Sequence, residues 1–220
     1  MTRPDDPALV HHYRQLLARH GDDARAVQYA DAETQQARFA VLAAVGDPLT
    51  SVLDVGCGLA HLCDWLRAQG WRGRYLGVDQ VPEFVERANA RLADDPLAEV
   101  RLGTATGPLP DGCDFVLLSG VFNNAMADNE GFMRATLRAM WAAAAKGIAF
   151  NAMSTHVDWR DPELWYADPA EVLAFCKAGL GGHPVLIHDY VTRPGGFPYE
   201  FAVHLRKAPR LPGWPGPGGS

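Results

Sequence analysis

No stretch of the chain is apolar over membrane length, no cluster gathers its lysines and arginines, and no cysteine pair has CxxC spacing. Without a run of about 20 apolar residues, nothing predicts a transmembrane helix. The opening residues, Met1-Thr-Arg-Pro-Asp-Asp, are polar and acidic, so no signal peptide is expected and the protein is placed in the cytoplasm. The nearest thing to a basic patch is Arg206-Lys207 with Arg210 close by, in a chain of formal charge −6 and pI about 5.7. Phosphate neutralisation dominates affinity for nucleic-acid backbones, so DNA and RNA are disfavoured as partners, whereas a nucleoside-sized ligand is not. Cys57, Cys63, Cys113 and Cys176 fit buried, reduced thiols. Cys57 lies inside a glycine turn and reads as a small residue filling the bend rather than a nucleophile. His11-His12, His183 and His188 lack a third ligand in sequence, so no metal site is expected.

The 220 residues, 48% hydrophobic and 21% charged, suffice for one full α/β core and not two. Helical spacing predicts helices over 7–19 and 32–45, ahead of the first strand, where they would cap the sheet edge or cover a ligand. Strands then read near 51–55, 74–79, 98–102, 113–118, 147–152, 184–190 and 199–206. Helices fall near 59–69, 82–93, 128–145 and 169–178. Continuous apolar runs such as Phe115-Val-Leu-Leu118 and Ile148-Ala-Phe150 fit a sheet buried on both faces. The expected fold is therefore α/β: a doubly wound, seven-stranded, mostly parallel sheet with helices on both faces, in one domain over residues 1–208. A helical cap covers about 7–46. The last two strands are joined by the short Thr192-Arg-Pro-Gly-Gly-Phe-Pro198, so they should pair antiparallel. The Pro/Gly-rich tail from Pro209 is expected to be disordered.

Residues 51–80 carry the strongest functional signal. An apolar strand (Val52, Leu53, Val55) enters Gly56-Cys57-Gly58, a helix follows, and a second strand ends on Asp79. Glycines let the backbone approach a ligand, and the helix start turns unpaired N–H groups toward it. Asp79 follows Gly58 at about the 20-residue spacing where a carboxylate meets a ribose 2′-hydroxyl in nucleoside-binding βαβ units. A dinucleotide turn would need a third glycine where His61 stands, and Asp54 would face the pyrophosphate, an unfavourable pairing of anions. A cationic cofactor without phosphate suits the site better.

At this point the segment resembles motif I of the class I S-adenosylmethionine (SAM) methyltransferases, D/E-x-G-x-G-x-G, here Asp54-Val-Gly56-Cys-Gly58-Leu-Ala60. Ala60 replaces the last glycine. Gly77-Val-Asp79-Gln80 resembles the family's acidic ribose-binding loop, and residues 20–39 resemble a stretch upstream of motif I in small bacterial methyltransferases of unassigned substrate. The resemblance implies an antiparallel final strand and SAM as cofactor, with Asp54, Gly56 and Gly58 beside its methionine and ribose portions. It implies Asp79 on the ribose hydroxyls and Gln80 along the adenine. The family's Gly-Asp after the third strand is Gly103-Thr104 here, leaving the adenine amine to the Thr104 hydroxyl or a backbone carbonyl. Ser119-Gly120 either supports the methionine chain or is only a turn, and Phe122 follows on the substrate side. Tyr29, Gln36 and Arg38 are groups that a lid over the cofactor could use. Arg38 is either a bidentate partner for the methionine carboxylate or a solvated arginine.

The exit of the fifth strand, Asn151-Ala-Met-Ser154-Thr-His156-Val-Asp158-Trp159, reads as the acceptor wall. Asn151, Ser154 and Trp159 would contact substrate, with Trp165 and Tyr166 either stacking on it or packing as core. The expected reaction is in-line methyl transfer to a small-molecule acceptor at oxygen or nitrogen. His156 is the expected base and Asp158 the second choice, unless the acceptor is already nucleophilic. The rivals are non-methyl chemistry with SAM on the same fold (intramolecular alkylation or aminocarboxypropyl transfer), a non-catalytic SAM-binding module, and an NAD-dependent oxidoreductase.

Overall fold

The computed structural model describes residues 7–209; all but the first residue of the Pro/Gly-rich tail lies outside them. The strands are β1 (Ser51–Val55), β2 (Arg74–Asp79), β3 (Ala98–Leu102), β4 (Cys113–Leu118), β5 (Ala144–Met153), β6 (His183–Ile187) and β7 (Glu200–Arg206). They form one sheet in the order β3-β2-β1-β4-β5-β7-β6. All neighbours are parallel except β7, which runs antiparallel to both β5 and β6. The sheet thus has the expected form, with the antiparallel strand inserted one place in from the edge.

Helices α1 (Pro7–His20), α2 (Ala32–Ala43), α3 (His61–Ala68), α4 (Pro82–Arg91), α5 (Asn129–Ala143) and α6 (Pro169–Ala174) cover the strands. Aspartates start several of them: Asp31 accepts from the Thr34 N–H, Asp128 from Gly131, and Asp168 from Ala170 and Glu171. No helix among the described residues is long and apolar enough to cross a membrane.

Central strands are buried on both faces, and the two faces carry separate cores. Leu53, Val116, Ile148 and Phe150 pack with α5 residues Leu137 and Met140 on one face. Val52, Leu117 and Ala149 pack with Phe39, Leu42, Leu62 and Leu66 on the other. A third cluster ties the cap to the sheet: Leu17 and Ala26 meet Leu59, Val81 and Phe84, with Tyr13 and Val27 against them.

Several boundaries differ from the sequence reading. The alanine run 142–145 reads as helix by propensity, but Ala144 is already extended and pairs with Cys113, so α5 passes into β5 without a loop. α3 begins at His61 rather than residue 59, because Ala60 holds a left-handed φ of 59°. The chain leaves β6 after Ile187, and a 3-10 turn over Ala24–Val27, unmarked by periodicity, joins the two cap helices.

Candidate active site

The strand order reverses between β1 and β4, and in such sheets the crevice for ligands lies beyond the carboxyl ends there. A cavity of about 500 Å³ occupies this place. Its floor crosses the ends of β2, β1, β4 and β5 and reaches the start of β7, four strand spacings or about 19 Å at ~4.8 Å each. Its roof is the cap, through Leu9, Tyr13 and Val27–Ala30, and its far wall is the β6–β7 loop, through Thr192, Arg193 and Tyr199.

At the β2 and β1 end the polar groups are carboxylates. Asp79, 8% exposed, accepts from the Gly58 N–H through Oδ2 (2.8 Å) and from the Val81 N–H through Oδ1 (2.9 Å). The two bonds fix the carboxylate against the glycine turn and leave a lone pair on each oxygen. Burial raises its pKa, opposed by the N–H groups it accepts from. Asp54 Oδ2 accepts from Tyr75 Oη at 2.7 Å. Burial pushes Asp54 up to about 7 against that bond, and the charge of Asp79 adds to the rise. The turn needs glycine at 58: its φ is +54°, and a Cβ there would lie 2.7 Å from Val27 Cγ1 of the cap. Cys57 is buried, and burial raises its thiol pKa far above the ordinary value, which makes it inert as a nucleophile.

The middle of the cavity is a junction of cap and sheet. Tyr29 Oη and Ser119 Oγ are 2.7 Å apart, and burial pushes the Tyr29 phenol up to about 12. Gly120 has φ +74°, and a Cβ there would meet Tyr29 Oη at 2.8 Å. Its N–H donates to Asn151 Oδ1 (2.9 Å), and Asn151 Nδ2 donates to Glu200 Oε1 (3.3 Å). Glu200, 1% exposed at the start of β7, also accepts from Tyr190 Oη (2.6 Å) and from Arg38. Arg38 donates Nε to Glu200 Oε2 (2.9 Å), Nη1 to the Thr34 carbonyl (2.9 Å) and Nη2 to Tyr199 Oη (2.7 Å). The second Arg38–Glu200 contact, Nη2 to Oε2, is 2.8 Å.

The comparisons with known proteins agree with this geometry. Residues 53–141 match the family model described as a methyltransferase domain. The Mycobacterium tuberculosis protein Rv1506c, which bears a methyltransferase name, is 33% identical over 169 residues, spanning 74% of this chain and 95% of that relative. The chain belongs to the class I SAM-dependent methyltransferases. Two solved structures illustrate the shared fold. Magnesium protoporphyrin IX methyltransferase (ChlM) of Synechocystis PCC 6803 with bound SAH aligns at TM-score 0.63 and 13% identity, over 92% of this chain and 95% of its own. The glycopeptide N-methyltransferase MtfA complexed with SAM aligns at TM-score 0.60 and 13% identity, over 81% and 95%.

SAM is the cofactor of a class I methyltransferase, and the residues present fit it. The cations lining the cavity, Arg38 and Arg193, stand toward its β5–β7 end, so the β1–β2 end offers carboxylates and backbone N–H groups to a ligand that is cationic and lacks phosphate. A dinucleotide would set its pyrophosphate against Asp54.

The methyltransferase's cavity brings together Tyr29, Arg38, Asp54, Gly56, Gly58, Asp79, Gln80, Ser119 and Gly120. Other expected site residues lie elsewhere. Gln36 faces outward, and its neighbour Gln35 is buried on the cavity side. Gln35 shares a face with Arg38, Phe39 and Leu42 at helical spacing, a pattern that was available to place it. Thr104 is half-buried beside the wall formed by Gly103 and Ala105. The Arg38 fork is already occupied by Glu200, so it is neither solvated nor free for a bidentate carboxylate. Phe122 is wholly buried, edge-on to Phe132 and Phe150, and serves the core. Asn151 is buried beneath the wall, where it holds the Gly120 turn.

The acceptor wall expected at 154–159 is corrected most. Ser154 is buried and bridges to Ala167, while its Oγ accepts from the His156 N–H, so the chain turns away from the cavity there. His156 is exposed with its ring edge-on to His188, Asp158 is exposed, and Trp159 is 72% exposed; none lines the cavity. The groups that do close that end, Thr192, Arg193 and Tyr199, come from the β6–β7 loop, where sequence spacing carried no sign of them. Glu200 did leave one sign, since a carboxylate opening the largely apolar β7 calls for a buried partner. Among the described residues no group of three or more His, Cys, Asp or Glu could hold a metal ion.

Proposed function

We propose that the protein transfers a methyl group from SAM to a small-molecule acceptor at oxygen or nitrogen. The supporting observation is the cavity itself, which runs from a carboxylate-lined end at β1–β2 to a separate end at β5–β7 and is roofed by its own cap. Asp79 would hold the ribose hydroxyls, with Gln80, Val81 and Phe84 beside the base and Tyr29, Ser119 and Gly120 beside the methionine portion. When bound, SAM supplies an electrophilic methyl group on a positively charged sulfur. The chain's own contribution is then placement and exclusion of water. The Glu200–Arg38–Asn151 junction fixes the Gly120 turn, and Tyr29 and Val27 close the roof over the two glycine turns. A roofed cavity and a chain of charge −6 without a basic stripe favour a small molecule over a nucleic acid. With His156 outside the cavity, a proton released by the acceptor nucleophile would pass to another group.

The test is product analysis. The full chain incubated with SAM and a metabolite pool should yield SAH and one new product heavier by one CH2, a methyl group having replaced a proton released to solvent. Methylthioadenosine in place of SAH would overturn methyl transfer in favour of other alkyl chemistry.

A further inference from the structure

The β5–β7 end of the cavity is built from hydrogen-bond donors, and we infer that it recognises an anionic oxygen group, carboxylate or phosphate, on the acceptor. This rests on the methyltransferase reading above.

Three groups carry it. Arg193, an exposed residue, lines the cavity from the β6–β7 loop and forms no ion pair among the described residues. Asp31 lies close enough to feel its charge but uses its carboxylate to cap α2 through the Thr34 N–H. Thr192, 5% exposed, and Tyr199 form a hydroxyl pair at 2.8 Å. Tyr199 Oη already accepts from Arg38 Nη2, so whichever hydroxyl donates within the pair, one proton of the two remains for a third partner. Arg38 adds to this, because its contacts to Glu200, Thr34 and Tyr199 leave one Nη1 hydrogen unassigned. An exposed guanidinium, a spare hydroxyl proton and a spare N–H all line this end of the cavity; the matching ligand group accepts only and carries negative charge.

Position assigns that group to the acceptor rather than to the donor's own carboxylate. Asp79 stands at β2 and the Ser119–Gly120 turn at β4, two strands away; Tyr199 immediately precedes β7, two strands further on, and Arg193 lines the cavity from the loop before it. A donor spanning β2 to β4 leaves the β7 end to the second substrate.

The probes are 4-hydroxybenzoate, phenyl phosphate and neutral 4-hydroxybenzamide, titrated by calorimetry into the full chain saturated with SAH. We expect the two anions to bind at least about tenfold more tightly than the amide. Arg193→Met should erase that preference, Arg193→Lys should retain part of it, and SAH affinity should stay within about twofold in both. Equal binding of anions and amide, or no binding of any, overturns the inference. So does an Arg193→Met variant that loses SAH affinity but keeps that for methylthioadenosine, which has no carboxylate; the arginine would then belong to the donor. If wild type fails to bind SAH, the methyltransferase reading of the cavity fails with it. SAH binding without anion preference removes this inference alone.

Discussion

The two ends of the cavity are made in different ways. At the β1–β2 end, Asp54, Gly58 and Asp79 come from one short stretch of chain, and the bonds that place Asp79 run to backbone N–H groups. At the β5–β7 end, Arg38 meets Glu200 across 162 residues, and side chains hold side chains. The first end presents carboxylate side chains, the second side-chain donors. A site set by backbone turns depends on the glycines that allow them, whereas a site set by one buried ion pair depends on that pair.

The largest effect should come from breaking the second end. Glu200→Gln leaves the Arg38 guanidinium buried without a counter-charge, since the pair's side chains are only 7% and 1% exposed. Removing one partner of a buried pair costs about 3–5 kcal/mol, and denaturant unfolding should show it. A cost below about 1 kcal/mol would mean that the junction does not hold the cap to the sheet.

The first end should respond to pH instead. The folded-state pKa of Asp54 is raised from 3.8 to about 7, so its proton is held more tightly in the folded chain. Its contribution to stability is therefore greatest below the unfolded value and is lost as pH rises toward 7, by up to about 4 kcal/mol without ligand. Asp54→Asn should flatten that slope in unfolding measured between pH 4 and pH 8. The same group predicts that SAM, with its positive sulfur, gains on neutral SAH as pH rises through 7. A constant affinity ratio would remove Asp54 from the donor's surroundings.

Two smaller effects sharpen the contrast. Ala60 sits at φ 59°, where a Cβ is disfavoured, so Ala60→Gly should be neutral to stabilising, by at most about 1 kcal/mol in thermal unfolding. His156→Ala should leave turnover within about twofold, because the ring lies outside the cavity.

What was legible in the sequence follows the same division. The succession of strands along the chain, the antiparallel β7 and the Asp54–Gly58 and Asp79 positions depend on local pattern and spacing, and the chain displays both. The acceptor end was not legible. A cluster of polar and aromatic residues after β5 looked like a binding wall, yet the Ser154–Ala167 bridge turns it outward. The β6–β7 loop was read only as a short link, yet the antiparallel insertion of β7 brings its end over the cavity. Which loop reaches a site depends on tertiary placement, and residue type at a strand exit does not report it.

The most direct measurement is calorimetric titration of SAH into the full chain and into Asp79→Ala. We predict one site in wild type, weakened about 100-fold by the substitution through loss of charge-assisted bonds to the ribose. Equal affinity in the two proteins, or no heat with wild type, would contradict the placement of the donor at the β1–β2 end.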